Sequence, residues 1–144
     1  MNHLFLKVDD NKINNIINKL ELNKKLNIVE RILLKKWCFD QLYSKKNIEL
    51  SDDIFCRLNN GNFLSYGGDF NKKMYGYNSR SYTLIPHSSL KFVINDLQNL
   101  TKDELKRLEE IGISKNEYEN SVKELIYLII EAQQEEKAIL HLGI

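Results

Sequence analysis

His3-Leu4-Phe5-Leu6-Lys7-Val8 alternates, Asp9-Asp10 follows, and the alternation gives way to Ile13, Ile16, Ile17 and Leu20 at helical spacing. Leu4, Leu6 and Val8 fall on one side of an extended chain and His3, Phe5 and Lys7 on the other, so a strand opens the fold. Either Asp9 or Asp10 can accept backbone N–H bonds at the start of the helix that follows. The Asn and Lys residues between the isoleucines give that helix a wet face.

Working outward, a second helix is predicted from about Asn27 to Tyr43. Val29, Leu33, Lys36/Trp37 and Asp40 follow one line of it, and Ile32, Leu34 and Phe39 thicken the apolar face. Lys45-Lys46-Asn47 breaks the pattern. Ser51-Asp52-Asp53 reads as a further helix start with Ile54, Phe55 and Leu58 behind it, and Asn59-Asn60-Gly61 as its stop. Pro86 is suited to a first helical position, ahead of a stripe of Leu90, Val93, Ile94 and Leu97. Thr101-Lys102-Asp103-Glu104 and Ser114-Lys115-Asn116-Glu117 both have the spacing of a capping box. Leu105 and Leu108 follow the first, with Gly112 as a stop. The second opens the strongest helix, striped by Tyr118, Val122, Leu125, Ile126, Ile129 and Ile130. Ala138-Ile139-Leu140-His141-Leu142 is short and apolar enough to be a last strand.

The middle, from Asn62 to Pro86, changes character. Phe63-Leu64-Ser65-Tyr66 and Ser81-Tyr82-Thr83-Leu84-Ile85 are aromatic or β-branched strand candidates. Gly67-Gly68, Asn71, Gly76 and Asn78 are turn candidates between them. With no repeat and no linker in sight, residues 1–144 read as one α+β domain. Its small sheet is built of an N-terminal strand, a central hairpin and a C-terminal strand, packed with about five helices.

Composition narrows the function classes. The chain has 144 residues, with 21 Lys+Arg against 20 Asp+Glu. That near-neutral balance argues against a protein that coats nucleic acid. No apolar run approaches a membrane span, and the start lacks the pattern of a secretory signal, so a cytoplasmic protein is expected. Cys38 and Cys56 fit a reducing compartment. Charge is uneven: residues 1–50 carry ten basic and six acidic side chains, residues 101–144 six basic and ten acidic. Such a dipolar surface can orient a charged partner.

Chemistry-bearing motifs are sparse. His3, His87 and His141 are far apart in sequence and no metal-ligand spacing is present, so no metal or other cofactor is expected. No phosphate-cradling glycine loop and no nucleophile elbow occurs. Cys38 and Cys56 have apolar neighbours, as buried thiols do. Cys56 follows a helix start closely enough to keep a nucleophilic role open. Asp52 and Asp53 read first as a helix first turn, where carboxylates meet the positive end of the dipole. With Asp69 and His87 they also form the candidate acid–base set of a small enzyme. The segment that points best to binding interleaves Tyr66, Phe70, Tyr75, Tyr77 and Tyr82 with Lys72, Lys73 and Arg80. Tyrosine and arginine dominate protein hot spots, with lysines as rim charges. The same mixture can stack on single-stranded nucleic acid.

Several stretches resemble the YfbM-like family of small bacterial proteins. They are Leu4 to Asp10 with the Ile-rich helix, Tyr75 to Pro86, Leu100 to Leu105, Ile130-Glu131-Ala132, and Ile139 to Leu142. Tyr77-Asn78-Ser79 departs from the family's Gly-Pro-Ala at the turn, and Ser88 and Ser89 stand where acidic residues are usual. The resemblance implies the fold and carries no activity. Small proteins of this kind are often encoded beside bacterial toxins, which implies by analogy an immunity-type role. The expected function is therefore binding and occlusion of a cognate toxin, with Tyr75, Tyr77 and Arg80 central. The small enzyme and the single-strand binder are the alternatives.

Overall fold

The computed structural model describes residues 2–22, 24–41, 47–59, 68–69, 82–99, 106–107 and 109–143. Strand β1 (Asn2–Lys7) occupies the predicted opening. A 3-10 turn (Asn11–Ile13) then leads into α1 (Asn14–Glu21), and of the two candidate caps it is Asp10 that accepts from the Lys12 N–H. Helix α2 (Ile28–Gln41) begins with a reciprocal cap. The Asn27 side chain accepts from the Glu30 N–H, and the Glu30 carboxylate accepts from the Asn27 N–H.

Strand β2 (Asn47–Ser51) follows, where only a break in the helical pattern was expected. Its four-residue alternation, Ile48 and Leu50 against Asn47 and Glu49, is the strand signal. Helix α3 (Asp52–Asn59) starts as read, with Asp52 and Asp53 in its first turn. Strand β3 (Gly68–Asp69) pairs antiparallel with β4 (Tyr82–Ile85), so Gly68, expected in a turn, lies in a strand instead. Pro86 is extended and stands one residue ahead of a 3-10 turn (His87–Ser89), rather than inside the helix. Helix α4 (Leu90–Gln98) carries the predicted stripe. Residues 106, 107, 109 and 110 are helical, and Gly112 ends that stretch with φ +84°, a conformation glycine adopts without strain. The capping box at 101–104, with Leu105 and Leu108, and the strand candidate at 63–66 lie outside the described residues.

Helix α5 (Lys115–Gln134) opens with the Ser114 hydroxyl accepting from the Glu117 N–H, as its sequence predicts. It closes in a Schellman turn: Glu136 N–H donates to Gln133 and Lys137 N–H to Ala132. Glu136 occupies the left-handed position with φ 55°. Strand β5 (Ile139–Gly143) completes one antiparallel sheet of order β2-β1-β5-β4-β3. The α+β class holds.

Both sheet faces are covered. Leu4, Leu6, Leu84, Leu140 and Leu142 face α1 and α2, packing with Ile13, Ile16, Ile17, Leu34 and Trp37. Phe5, Leu50, Ile85 and Ile139 face α3, α4 and α5. The His3–Phe5 side of the first strand is thus buried as well, and each fully buried Phe or Leu contributes about 1.5–3 kcal/mol.

Candidate functional site

Two features rise from this frame. The first is a polar line inside it. β1 and β5 pair so that His3 stands opposite Gly143 and Phe5 opposite His141, which brings both histidines to the face covered by α3. His3 Nδ1 lies 2.9 Å from His141 Nε2, and His3 Nε2 lies 2.8 Å from Asp52 Oδ1. Phe55, one turn along α3 from Asp52, stacks on both rings, its centroid 3.5 Å from that of His3 and 4.9 Å from that of His141.

The bonding fixes the tautomers. An ionised Asp52 accepts, so His3 Nε2 carries the hydrogen, and a neutral His3 then accepts at Nδ1 from His141 Nε2–H. His141 Nδ1 is left as a buried lone pair with no partner among the described residues. The hydrogen bond from His3, with a further one from the Cys56 thiol, holds the Asp52 carboxyl below its ordinary range. Burial pushes the His141 imidazole down to about 3, and the neighbouring His3 adds to that. The line runs from an exposed carboxylate to a fully buried ring, and it fastens β1, β5 and α3 together.

The sequence kept His3 and His141 apart. Their signal was His141 in an apolar strand, on the same side as Ile139. Among the described residues no group of three His, Cys, Asp or Glu side chains is placed to hold a metal. Three clefts lined by described residues lie elsewhere. One, of about 220 Å³, contains Asn14, Asn18, Glu21, His87 and Lys137. There burial raises the Glu21 carboxyl, and His87 draws it partly back. Another, of about 380 Å³, lies between Lys7, Asp10, Trp37 and Glu131, and the third abuts the start of α2.

The candidate acid–base set does not converge in what is described. Asp52 is bonded to His3, Asp53 is exposed in the first turn of α3, and His87 sits with Glu21. Asp69 enters as backbone paired with Thr83. Cys38 is buried and its thiol pushed up to about 12, which removes it as a nucleophile. Cys56, expected among apolar neighbours, is exposed. Tyr66, Phe70, Lys72, Lys73, Tyr75, Tyr77 and Arg80 lie outside the described residues, and Tyr82 enters only through the backbone of β4.

The second feature is the outer face of α2. Its core side is Leu34, Trp37 and Cys38, with the Trp37 Nε1–H donating to Asp10 at 3.0 Å. Val29, Ile32, Leu33 and Phe39, expected to form its core face, point outward together with Ile28, each 48–71% exposed. Steps of four and seven align Ile28, Ile32 and Phe39, and a step of four aligns Val29 with Leu33, so the residues share one side. The misreading has a simple cause: a helix apolar on all sides does not tell which arc meets the sheet.

A five-stranded antiparallel sheet clad in helices on both faces, without a cofactor motif, defines the class as a small α+β protein with a YfbM-like fold. The specific likeness is to the crystal structure of a protein of unknown function, YfbM from Escherichia coli. The chain is similar to it at a TM-score of 0.55 and 14% identity over 100% of both chains. At that identity the likeness concerns the fold. No family model and no curated protein matches the sequence. No helix among the described residues is long and apolar enough to cross a membrane.

Proposed function

We propose that this protein acts by binding: it is an immunity-type protein of the cytoplasm that neutralises a cognate toxin by covering the toxin's active site. The observation that carries the binding part is the outer face of α2, where five large apolar side chains stand in solvent on one side of one helix. Contiguous exposed apolar surface of this kind marks interaction sites in folded proteins. Tyr66, Phe70, Lys72, Lys73, Tyr75, Tyr77, Arg80 and Tyr82 remain the second candidate contact set, on the chemistry of their side chains. The enzyme alternative has less behind it, because Asp52, Asp53 and His87 go to three different environments.

The test is co-expression with the product of the adjacent gene, followed by size-exclusion chromatography with light scattering. A one-to-one complex that restores growth to cells making the neighbouring protein is the expected result. A monomer that captures nothing in its native host, and rescues nothing, overturns the proposal.

A further inference from the structure

The outer face of α2 carries more than apolar side chains. Lys24 and Lys25 precede the helix, Lys36 lies along it, and all three are exposed. Between residues 24 and 41 there are two carboxylates. Glu30 is mostly buried, held by Lys19 at 2.8 Å and by the Asn27 N–H. That leaves Asp40 as the exposed one. The apolar stripe of Ile28, Val29, Ile32, Leu33 and Phe39 is therefore bordered by ammonium groups in excess.

Three occupants could cover such a face. A second copy docked about a twofold axis would bring both sets of lysines to one seam with only an Asp40 from each helix to offset them, and an excess of like charge across an interface costs affinity. An anionic membrane would accept the lysines but not Asp40, which follows Phe39 directly. Membrane-surface helices also turn Trp toward the lipid, whereas Trp37 faces the core and is bonded to Asp10. A protein surface remains, with apolar anchors for the stripe and carboxylates at its border.

We infer that α2 is the docking helix for a protein partner whose contact patch is apolar at its centre and acidic at its rim. This rests on the binding reading above and names the surface and chemistry that the reading leaves open. Ile32 and Val29 act as anchors, while Lys24, Lys25 and Lys36 steer the encounter and set its salt dependence.

The test places a photo-crosslinking amino acid at position 32 in the native host and identifies the adduct by mass spectrometry. The crosslinked protein is then purified and titrated against wild type, Ile32→Asp and Lys24→Glu/Lys25→Glu/Lys36→Glu. Ile32 is exposed, so the variants should melt with the wild type, which a thermal scan checks. The expected result is a single heterologous adduct whose affinity drops about 30-fold or more with Ile32→Asp. The triple variant should bind more slowly by about tenfold at low salt and lose most of that deficit at high salt.

An adduct with a second copy, or binding of the purified chain to vesicles of phosphatidylethanolamine and phosphatidylglycerol without a protein adduct, overturns the inference. So does a partner whose affinity is unchanged by Ile32→Asp, a result that would leave the binding reading standing on another surface. A wild-type chain with no partner at all removes the reading itself.

Discussion

At the scale of single residues, His141 determines how the protein answers to acid. Its imidazole is held down to about 3 by burial, while in an unfolded chain it titrates near its ordinary 6.5. Between those values the unfolded state binds a proton that the folded state does not, so stability is full above 6.5 and declines as the pH falls. The slope is up to about 1.4 kcal/mol per pH unit. Asp52 works in the same direction lower down: its depressed carboxyl favours the fold above the ordinary 3.8, and that contribution goes as the pH falls through the folded value. Urea unfolding at pH 7 and pH 5 should show the loss. His141→Gln, which keeps an N–H for His3 without a titrating ring, should reduce the difference by about one proton's worth of slope. Equal slopes in the two proteins would show that His141 does not govern the acid response.

At the scale of elements, α5 is stabilised at one end and strained at the other. Ser114→Ala removes the acceptor for the Glu117 N–H and should lower stability by about 1 kcal/mol. Glu136→Gly relieves a non-glycine residue at φ 55° in the Schellman turn and should raise it by a similar ~1 kcal/mol. Thermal unfolding of the two variants checks both signs. Much at this scale could be read before any coordinates. The Asp10 cap, the Ser114 cap, the Gly112 stop and the first and last strands, β1 and β5, announce themselves through local chemistry. β2 was missed because its alternation spans four residues beside a lysine pair, too short to outweigh the break. The facing of α2 and the meeting of His3 with His141 were illegible for a deeper reason. Each depends on which surfaces the sheet brings together across the chain, and no local period encodes that.

At the scale of the whole molecule, the sheet order places β1 and β5 side by side at its centre, with β2 on one flank and β4 and β3 on the other. Every layer is anchored to that central pair: α1 and α2 through Leu4, Leu6, Leu140 and Leu142, α3, α4 and α5 through Phe5 and Ile139. The pairing joins His3 to Gly143, a near-maximal sequence separation for this chain, so the step that completes the sheet is also the one with the longest loop to close. The two strands run antiparallel and their meeting ends are adjacent, which is the geometry a hairpin turn spans in two to five residues. A circular permutant that joins Gly143 to Asn2 through such a turn, and opens between α4 and α5, makes this pairing local. It should refold faster than the wild type at nearly unchanged stability, in stopped-flow measurements of both. A ribosome, reading in the natural order, has no such shortcut: until β5 is made, β1 waits with an open edge, and that interval is when the nascent chain most needs a chaperone.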